Sequence, residues 1–354
     1  MTRTEGGQVV TWVNKCAHRG ATICRLQKGN ALNHTCVYHQ WNYNAAGDLQ
    51  GVPFRRGHGE MKGMPSTFKT ADHGLRRLRT EVYRGLVFAT FSDTVENLIS
   101  YIGPEMVGYL DRIFHKPIVF LGTSRCTSRS NWKIYLENVK DPYHASLLHT
   151  FLTTFNIFRI GNDTRSLAEQ RGLHSMMLAF KSTVGAEQYT GQNIKTMNDK
   201  LRLEDPSILR LIPEYSDGPS TNHIQTIFPQ LVVQQIMNSL VARQIIPKSP
   251  NEFELVFLYF GYEDDTPEMR ELRLMQANLA GPAGYISMED TEAGELVQEG
   301  VQAEPWDSHS FVEMAMEAPN QENTAISEEM VRRFWLAYEA LMSGLPLERN
   351  NENE

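Results

Sequence analysis

The 354-residue chain is short of three things, and each shortage excludes a class of protein. It has only four cysteines, Cys16, Cys24, Cys36 and Cys126, too few for a disulfide framework. It has no unbroken apolar run near the roughly 20 residues that cross a bilayer, and its opening M-T-R-T-E-G-G-Q-V-V-T-W-V lacks the basic flank and apolar stretch of a secretory signal. It has no excess of positive charge. With 34 Lys+Arg against 42 Asp+Glu the net charge is −8, so neither nucleic acid nor an anionic membrane surface is an expected partner. The expectation is a cytoplasmic, reducing location, in which the thiols stay free unless they bind metal.

What is present divides into two regions. From Gln8 to about Phe91, short β-branched and aromatic runs such as V-V-T-W-V and G-L-V-F-A-T-F alternate with Gly- and Pro-containing turns, which predicts a small β domain. Residues 96–114 repeat apolar positions at helical spacing and lead out of it, placing a boundary near residue 115. Beyond lie a helical pattern over 132–152 interrupted by Pro142, a polar stretch over 183–206 that reads as a flap, and three strand-like runs. Those runs, H-I-Q-T-I-F-P-Q-L-V-V-Q-Q, I-M-N-S-L-V-A-R-Q-I-I and F-E-L-V-F-L-Y-F-G-Y, predict an antiparallel meander. Helical patterns at 267–280 and 327–342 flank it, and L-E-R-N-N-E-N-E reads as a solvated tail. The fold class expected is α+β, with domains at 1–115 and 116–354.

Two clusters carry chemistry. Cys16 and His18 form a C-x-H pair, and Cys36 and His39 a C-x-x-H pair. Two thiolates and two imidazoles could hold zinc, but zinc sites usually group Cys with Cys and His with His. The alternating order suits a 2Fe–2S cluster with two cysteines on one iron and two histidines on the other. Cys24 and Cys126 read as small buried hydrophobes, and His34 and His58 as loop histidines. In the second cluster, N-W-K-I-Y-L-E-N-V-K-D-P-Y-H-A-S-L-L-H, His144 and His149 lie roughly 140° apart on an ideal helix. A regular helix would not aim both at one ion; Pro142 is a reason to expect distortion, and the pair also reads as two hydrogen-bonded core histidines. Asp141 and His144, three apart, can share a face.

The run C-A-H-R-G followed by C-x-Y-H-x-W-x-Y resembles the Rieske domain of the aromatic-ring-hydroxylating oxygenase α subunits, and N-W-K with E-N-x-x-D-x-Y-H-x-x-x-x-H resembles the mononuclear iron motif of the same family. The resemblance implies a Rieske 2Fe-2S cluster, with Cys16 and Cys36 on one iron and His18 and His39 on the other. It implies a helix-grip catalytic domain in which His144 and His149 bind a mononuclear Fe2+. The segment starting at Gly281, G-P-A-G-Y-I-S-M-E-D-T-E-A-G-E, is similar to the family's segment ending in the ligand aspartate, which makes Asp290 the third ligand of a facial triad. Chemistry alone leaves Glu289 and Glu292 open beside it. The family further implies electrons from NADH through a reductase, with or without a ferredoxin. It implies a trimer of α subunits, with or without a small β subunit, and Asp141 as the bridge between His144 and the Rieske His39 of a neighbouring subunit.

The resemblance is nearest to the branch acting on aromatic carboxylates: salicylate 5-hydroxylases and anthranilate, 2-halobenzoate and terephthalate dioxygenases. In the predicted strand L-V-A-R-Q-I-I, Arg243 shares a face with Val241 and Ile245, and its guanidinium could take a substrate carboxylate; the alternative is an ion pair at the sheet edge. Terephthalate-type members look to carry a second arginine where this chain has Ala325, before R-R-F-W at 332–335. That departure favours one carboxylate over two, hence a salicylate- or anthranilate-like ortho-substituted benzoate. The family also has further N-terminal residues before the C-x-H loop, so the chain reads as truncated there, with Met1 only 15 residues before Cys16. A zinc-stabilised, non-enzymatic binding protein is the competing class.

Overall fold

A computed structural model describes residues 1–181, 189, 194–303, 310–317 and 325–347. The expected flap over 183–206 lies partly outside these residues, and the expected tail lies outside them from 348 onward.

The chain divides into two compact units, Met1–Tyr101 and Ile102–Glu354. The first is built from short strands: β1 (Thr2–Arg3), β2 (Val9–Val10), β3 (Asn33–Thr35), β4 (Asn42–Asn44), β5 (Leu49–Gly51), β6 (Arg79–Tyr83) and β7 (Leu86–Thr90). They pair antiparallel as β1 with β2, β3-β4-β5, and β6 with β7. Trp12, Cys16, Ile23, Cys36, Trp41, Tyr43, Leu49 and Leu75 form its core. Both candidate ligand cysteines are therefore packed beneath the loops that carry them.

The helical pattern over 96–114 forms two helices, α1 (Leu98–Ile102) and α2 (Pro104–Ile113), split at Gly103, whose φ of 87° ends the first. Met106, Leu110 and Ile113 of α2 are buried, and the Met106 carbonyl accepts from Gln225 of the second unit's sheet. The units thus separate before α2, ahead of the expected position near 115, because the apolar face of α2 is buried within the second unit.

That second unit contains β8 (Ile118–Ser128), α3 (Trp132–Asn138), α4 (Pro142–Leu148), α5 (Thr150–Thr154), β9 (Thr164–Ala168) and β10 (Ser175–Phe180). There follow β11 (Ser220–Ile227), β12 (Leu231–Ile236), β13 (Ser239–Ser249), β14 (Glu252–Tyr262), α6 (Pro267–Ala280), α7 (Ser287–Ala303) and α8 (Glu329–Ser343). The strands form one seven-stranded antiparallel sheet in the order β8-β14-β13-β12-β11-β10-β9. The first of the three expected runs is two strands, β11 and β12, because Phe228–Pro229 forms the turn between them and proline cannot donate to a ladder. The expected meander is thus the middle of a wider sheet.

One sheet face carries an apolar core under the helices: Val232, Ile236, Val241 and Ile245 share a cluster with Leu136, Leu279 and Phe334 and with Phe158 of the loop after α5. Each such side chain contributes about 1.5–3 kcal/mol on burial. The helices expected at 267–280 and 327–342 correspond to α6 and α8, and Thr266 caps α6 by accepting from Met269 N. Among the described residues no helix is long and apolar enough to cross a membrane.

Candidate active site and cluster loops

The two loops of the first unit share one backbone closure. Cys16 N donates to Ala21 O and Cys36 N to Trp41 O; Gly20 N returns to Cys16 O and Gln40 N to Cys36 O. The residue four after each cysteine has positive φ, 79° at Gly20 and 57° at Gln40. Glycine adopts this freely, whereas Gln40 does so at a cost of about 1–2 kcal/mol. Cys16 and Cys36 are each 2 % exposed, while the His18 and His39 rings lie 4.6 Å apart on the outer side, His18 stacked on Trp41. Tyr43, fully buried, lies with its hydroxyl 3.2 Å from Cys16 Sγ and accepts from Ala17 N. Burial, and then its contact with Cys16, pushes the Tyr43 phenol far up, so it remains a donor to sulfur.

The donors therefore fall into a buried sulfur side and an outer imidazole side, which fits a cluster with two distinct irons. A single tetrahedral ion would draw all four donors within about 4 Å of one another. Among the described residues, the group of three donors whose ligating atoms converge within 4.8 Å is elsewhere.

That group is His144, His149 and Asp290, with ligating atoms within 4.8 Å of one another. The helical pattern over 132–152 is broken twice. Asp141 caps α4, accepting from Tyr143 N and His144 N, and Pro142 follows in the first turn, where proline is favoured. Pro142 thus starts a helix instead of distorting one. The break that matters is at His149 itself, with φ −84° and ψ 94°, between α4 and α5. Extended backbone there swings its imidazole toward His144, and the rings lie 5.2 Å apart.

Carboxylates decide what each imidazole nitrogen does. Asp290 Oδ1, from the first turn of α7, is 3.3 Å from His144 Nε2 and 3.2 Å from His149 Nε2. Asp141 Oδ2 lies 3.2 Å from His144 Nδ1, and Glu289 Oε2 lies 2.8 Å from His149 Nδ1. Each ring is held from behind at Nδ1, which directs the Nε2 lone pair toward the point Asp290 faces. Cis ligands at about 2.1 Å from one metal lie about 3 Å apart, close to the separations found here. The set fits a two-histidine, one-carboxylate iron site. Burial opposes charge on His144, but hydrogen bonds to Asp141 and Asp290 outweigh it and push His144 up to about 10. Burial likewise works against Asp290, yet His149 and His144 hold its carboxyl well below the usual range. Such a set exchanges protons for a metal ion.

Of two further neighbours, one was not singled out by sequence and the other was singled out in a different role. Asn138, the asparagine of E-N-V-K-D, donates to Asp290 Oδ1 at 3.3 Å and lies 3.4 Å from His144 Nε2. Glu289 was visible only as a rival to Asp290, and the geometry separates the pair: adjacent residues on α7 serve opposite nitrogens of His149.

A cavity opens beside the triad. Its walls include Leu152, Met177, Ile224, Ile236 and Ile286, with Asn222, Gln234, Lys140 and Arg243 as polar members. Arg243 is 2 % exposed on β13, an interior strand, so it is not at a sheet edge. Its Nη1 donates to the Tyr135 hydroxyl at 2.7 Å, its guanidinium lies over the Phe257 ring, and its Nε has no partner. Among the described residues no carboxylate pairs with it. Lys140, by contrast, is fully committed to Leu173 O, Ser175 Oγ and Thr226 Oγ1 at 3.0, 3.3 and 2.6 Å. Of the four cysteines, Cys24 and Cys126 are only partly buried, and Cys24 Sγ meets His34 Nδ1 at 3.4 Å.

Comparison with known families matches residues 1–68 to the Rieske [2Fe-2S] domain and residues 119–344 to the ring hydroxylating alpha subunit catalytic domain. The chain belongs to the ring-hydroxylating oxygenase alpha subunits. It is therefore an oxidoreductase with a Rieske [2Fe-2S] domain and a catalytic domain that binds mononuclear iron, and a His/His/Asp triad stands in the latter. This oxygenase subunit is 58 % identical over 344 residues to the anthranilate 1,2-dioxygenase large subunit of Burkholderia cepacia, covering 97 % of this chain and 81 % of that one. It is 42 % identical over 340 residues to subunit alpha 2 of the terephthalate 1,2-dioxygenase terminal oxygenase component of Comamonas sp, covering 96 % and 82 %. Its fold matches crystalline naphthalene 1,2-dioxygenase from Rhodococcus sp. with a TM-score of 0.77 at 21 % identity, covering 96 % of this oxygenase subunit and 82 % of that chain. A non-enzymatic zinc protein is not compatible with these matches.

Proposed function

We propose that this oxygenase subunit hydroxylates an ortho-substituted benzoate of the anthranilate or salicylate kind. Electrons would come from NADH through a reductase, with or without a ferredoxin, in the cytoplasm. One observation carries the reading: Arg243, a buried cation without a carboxylate partner among the described residues, stands on the wall of the triad's cavity. A planar fork with free donors is suited to a planar carboxylate. Lys140 is occupied, and Ala325 is buried in the apolar core without offering a second charge, so one carboxylate is matched and two are not.

In this reading His144, His149 and Asp290 hold iron, and Cys16, Cys36, His18 and His39 hold the cluster. When bound, the cluster supplies single electrons, and the iron supplies open positions for dioxygen beside the ring. The chain supplies the rest. Arg243 anchors the acid, Tyr135 fixes the guanidinium, and the aliphatic wall excludes water. Asp141 and Glu289 hold Nδ1 protons so that both Nε2 atoms stay available. The same reading makes Asp141, hydrogen-bonded to His144, the route for electrons from His39 of a neighbouring subunit in a trimer of α subunits. The test is turnover of purified enzyme with its reductase on a panel of aromatics. Anthranilate or salicylate should give hydroxylated product and terephthalate or naphthalene should not; equal turnover of naphthalene would overturn the reading.

A further inference from the structure

One polar group on the cavity wall is used neither by the triad nor by Arg243. Gln234, on β12 and 2 % exposed, has aliphatic ladder partners on both sides, Ile224 and Val241. Its Nε2 makes a single long hydrogen bond, 3.5 Å, to Asn222 Oδ1, and its Oε1 has no partner. Buried side-chain acceptors are rarely left unpaired, and one that faces a ligand cavity is explained by a donor the ligand brings.

Its position says which part of the ligand that is. Gln234 pairs across the ladder with Val241, so Arg243, two residues further on the same face, is its diagonal neighbour. Diagonal neighbours are about 7–8 Å apart, a span over which two long side chains can converge on adjacent substituents of one ring. A carboxylate on Arg243 therefore brings the ortho substituent toward Gln234.

We infer that Gln234 Oε1 accepts a hydrogen bond from an amino group ortho to the substrate's carboxylate, and that this contact makes the site selective for 2-aminobenzoates. The inference rests on the reading of Arg243 as the carboxylate site and adds the neighbouring position. An ortho amino group has two protons; one can bond to its own carboxylate and the other remains for Gln234. An ortho hydroxyl has a single proton, which its own carboxylate engages. Hydrogen and fluorine offer none, and fluorine sets a lone pair against the amide oxygen. A site with a buried polar group discriminates strongly against the analogue that leaves it unpaired.

Calorimetric titration of the oxidised holoenzyme with anthranilate, salicylate, benzoate, 2-fluorobenzoate and aniline tests this without a variant. Anthranilate should bind at least about tenfold more tightly than benzoate, with salicylate and 2-fluorobenzoate no tighter than benzoate. In Gln234→Leu the anthranilate-to-benzoate preference should collapse to within about threefold. Benzoate and anthranilate binding equally to wild type, with aniline not binding, would overturn this inference while leaving the carboxylate site standing. Tightest binding of 2-fluorobenzoate would overturn it too, because the amide would then present its nitrogen. Aniline binding as tightly as anthranilate would remove the carboxylate reading and this inference with it.

Discussion

Replacing Arg243 with methionine isolates the contribution of the one charge the cavity offers a substrate. The guanidinium is 2 % exposed, is held by Tyr135 at 2.7 Å, and has no carboxylate of its own among the described residues, so its charge is uncompensated until an acid binds. A hydrogen bond to a charged group is worth about 1.5–3 kcal/mol net, and truncating one partner of a buried charge pair costs about 2–5 kcal/mol. Taking about 3 kcal/mol, Arg243→Met should weaken anthranilate binding about 100-fold, since each 1.4 kcal/mol is a factor of ten. Arg243→Lys keeps the charge but loses the fork and should fall between, about tenfold weaker. The neutral analogue 2-aminobenzamide should lose no more than about threefold in either variant, because it gives the guanidinium nothing to neutralise. Calorimetry on the oxidised holoenzyme reads all three values. Loss of anthranilate affinity below threefold in Arg243→Met, or equal losses for acid and amide, would refute the carboxylate role.

Other residues carry their own expectations. Asp141→Asn should retain iron and acid-labile sulfide yet slow product formation by at least about 100-fold, checked by metal analysis beside steady-state turnover; wild-type turnover would remove Asp141 from the electron route. Glu289→Gln should weaken binding of the mononuclear iron about 10- to 100-fold without loss of sulfide, read by competition with a chelator. Burial holds Lys140 down at about 7. Between that value and about 10.5 the unfolded chain binds a proton the folded chain has released, so unfolding free energy rises with pH across the window. Lys140→Met removes this dependence. The wild-type-minus-variant difference in denaturation free energy should therefore climb by a few kcal/mol from about pH 7 to about pH 10, and a flat difference would contradict it.

What the sequence made legible was local. C-x-H and C-x-x-H lie on two short loops, and the helical patterns at 267–280 and 327–342 announce α6 and α8 by their period. The outer strands of the large sheet were less visible. β10 is buried along its whole length, so S-M-M-L-A-F shows no alternation to separate it from a buried helix turn. β8, I-V-F-L-G-T-S-R-C-T-S, is apolar only in its first four residues and pairs with β14 far along the chain. At the metal site, the five-residue gap between His144 and His149 predicted a distortion, but proline drew attention to the wrong residue. The backbone break sits at His149, which carries no sequence signal of its own. Glu289 and Asp290 are chemically alike and adjacent, and only their placement on α7 relative to the two nitrogens of His149 separates them. Gln234 was unreadable as a site residue because glutamine on an apolar strand becomes informative only once its oxygen is seen to lack a partner.

Two separate iron sites in one chain are tested most directly by counting metal on wild type and Asp290→Ala. Wild type should hold about three irons and about two acid-labile sulfides per chain, with a Rieske-type electron paramagnetic resonance signal after reduction. Asp290→Ala should hold about two irons and about two sulfides, with that signal unchanged. Zinc without sulfide in wild type, or loss of sulfide together with iron in the variant, would contradict that arrangement.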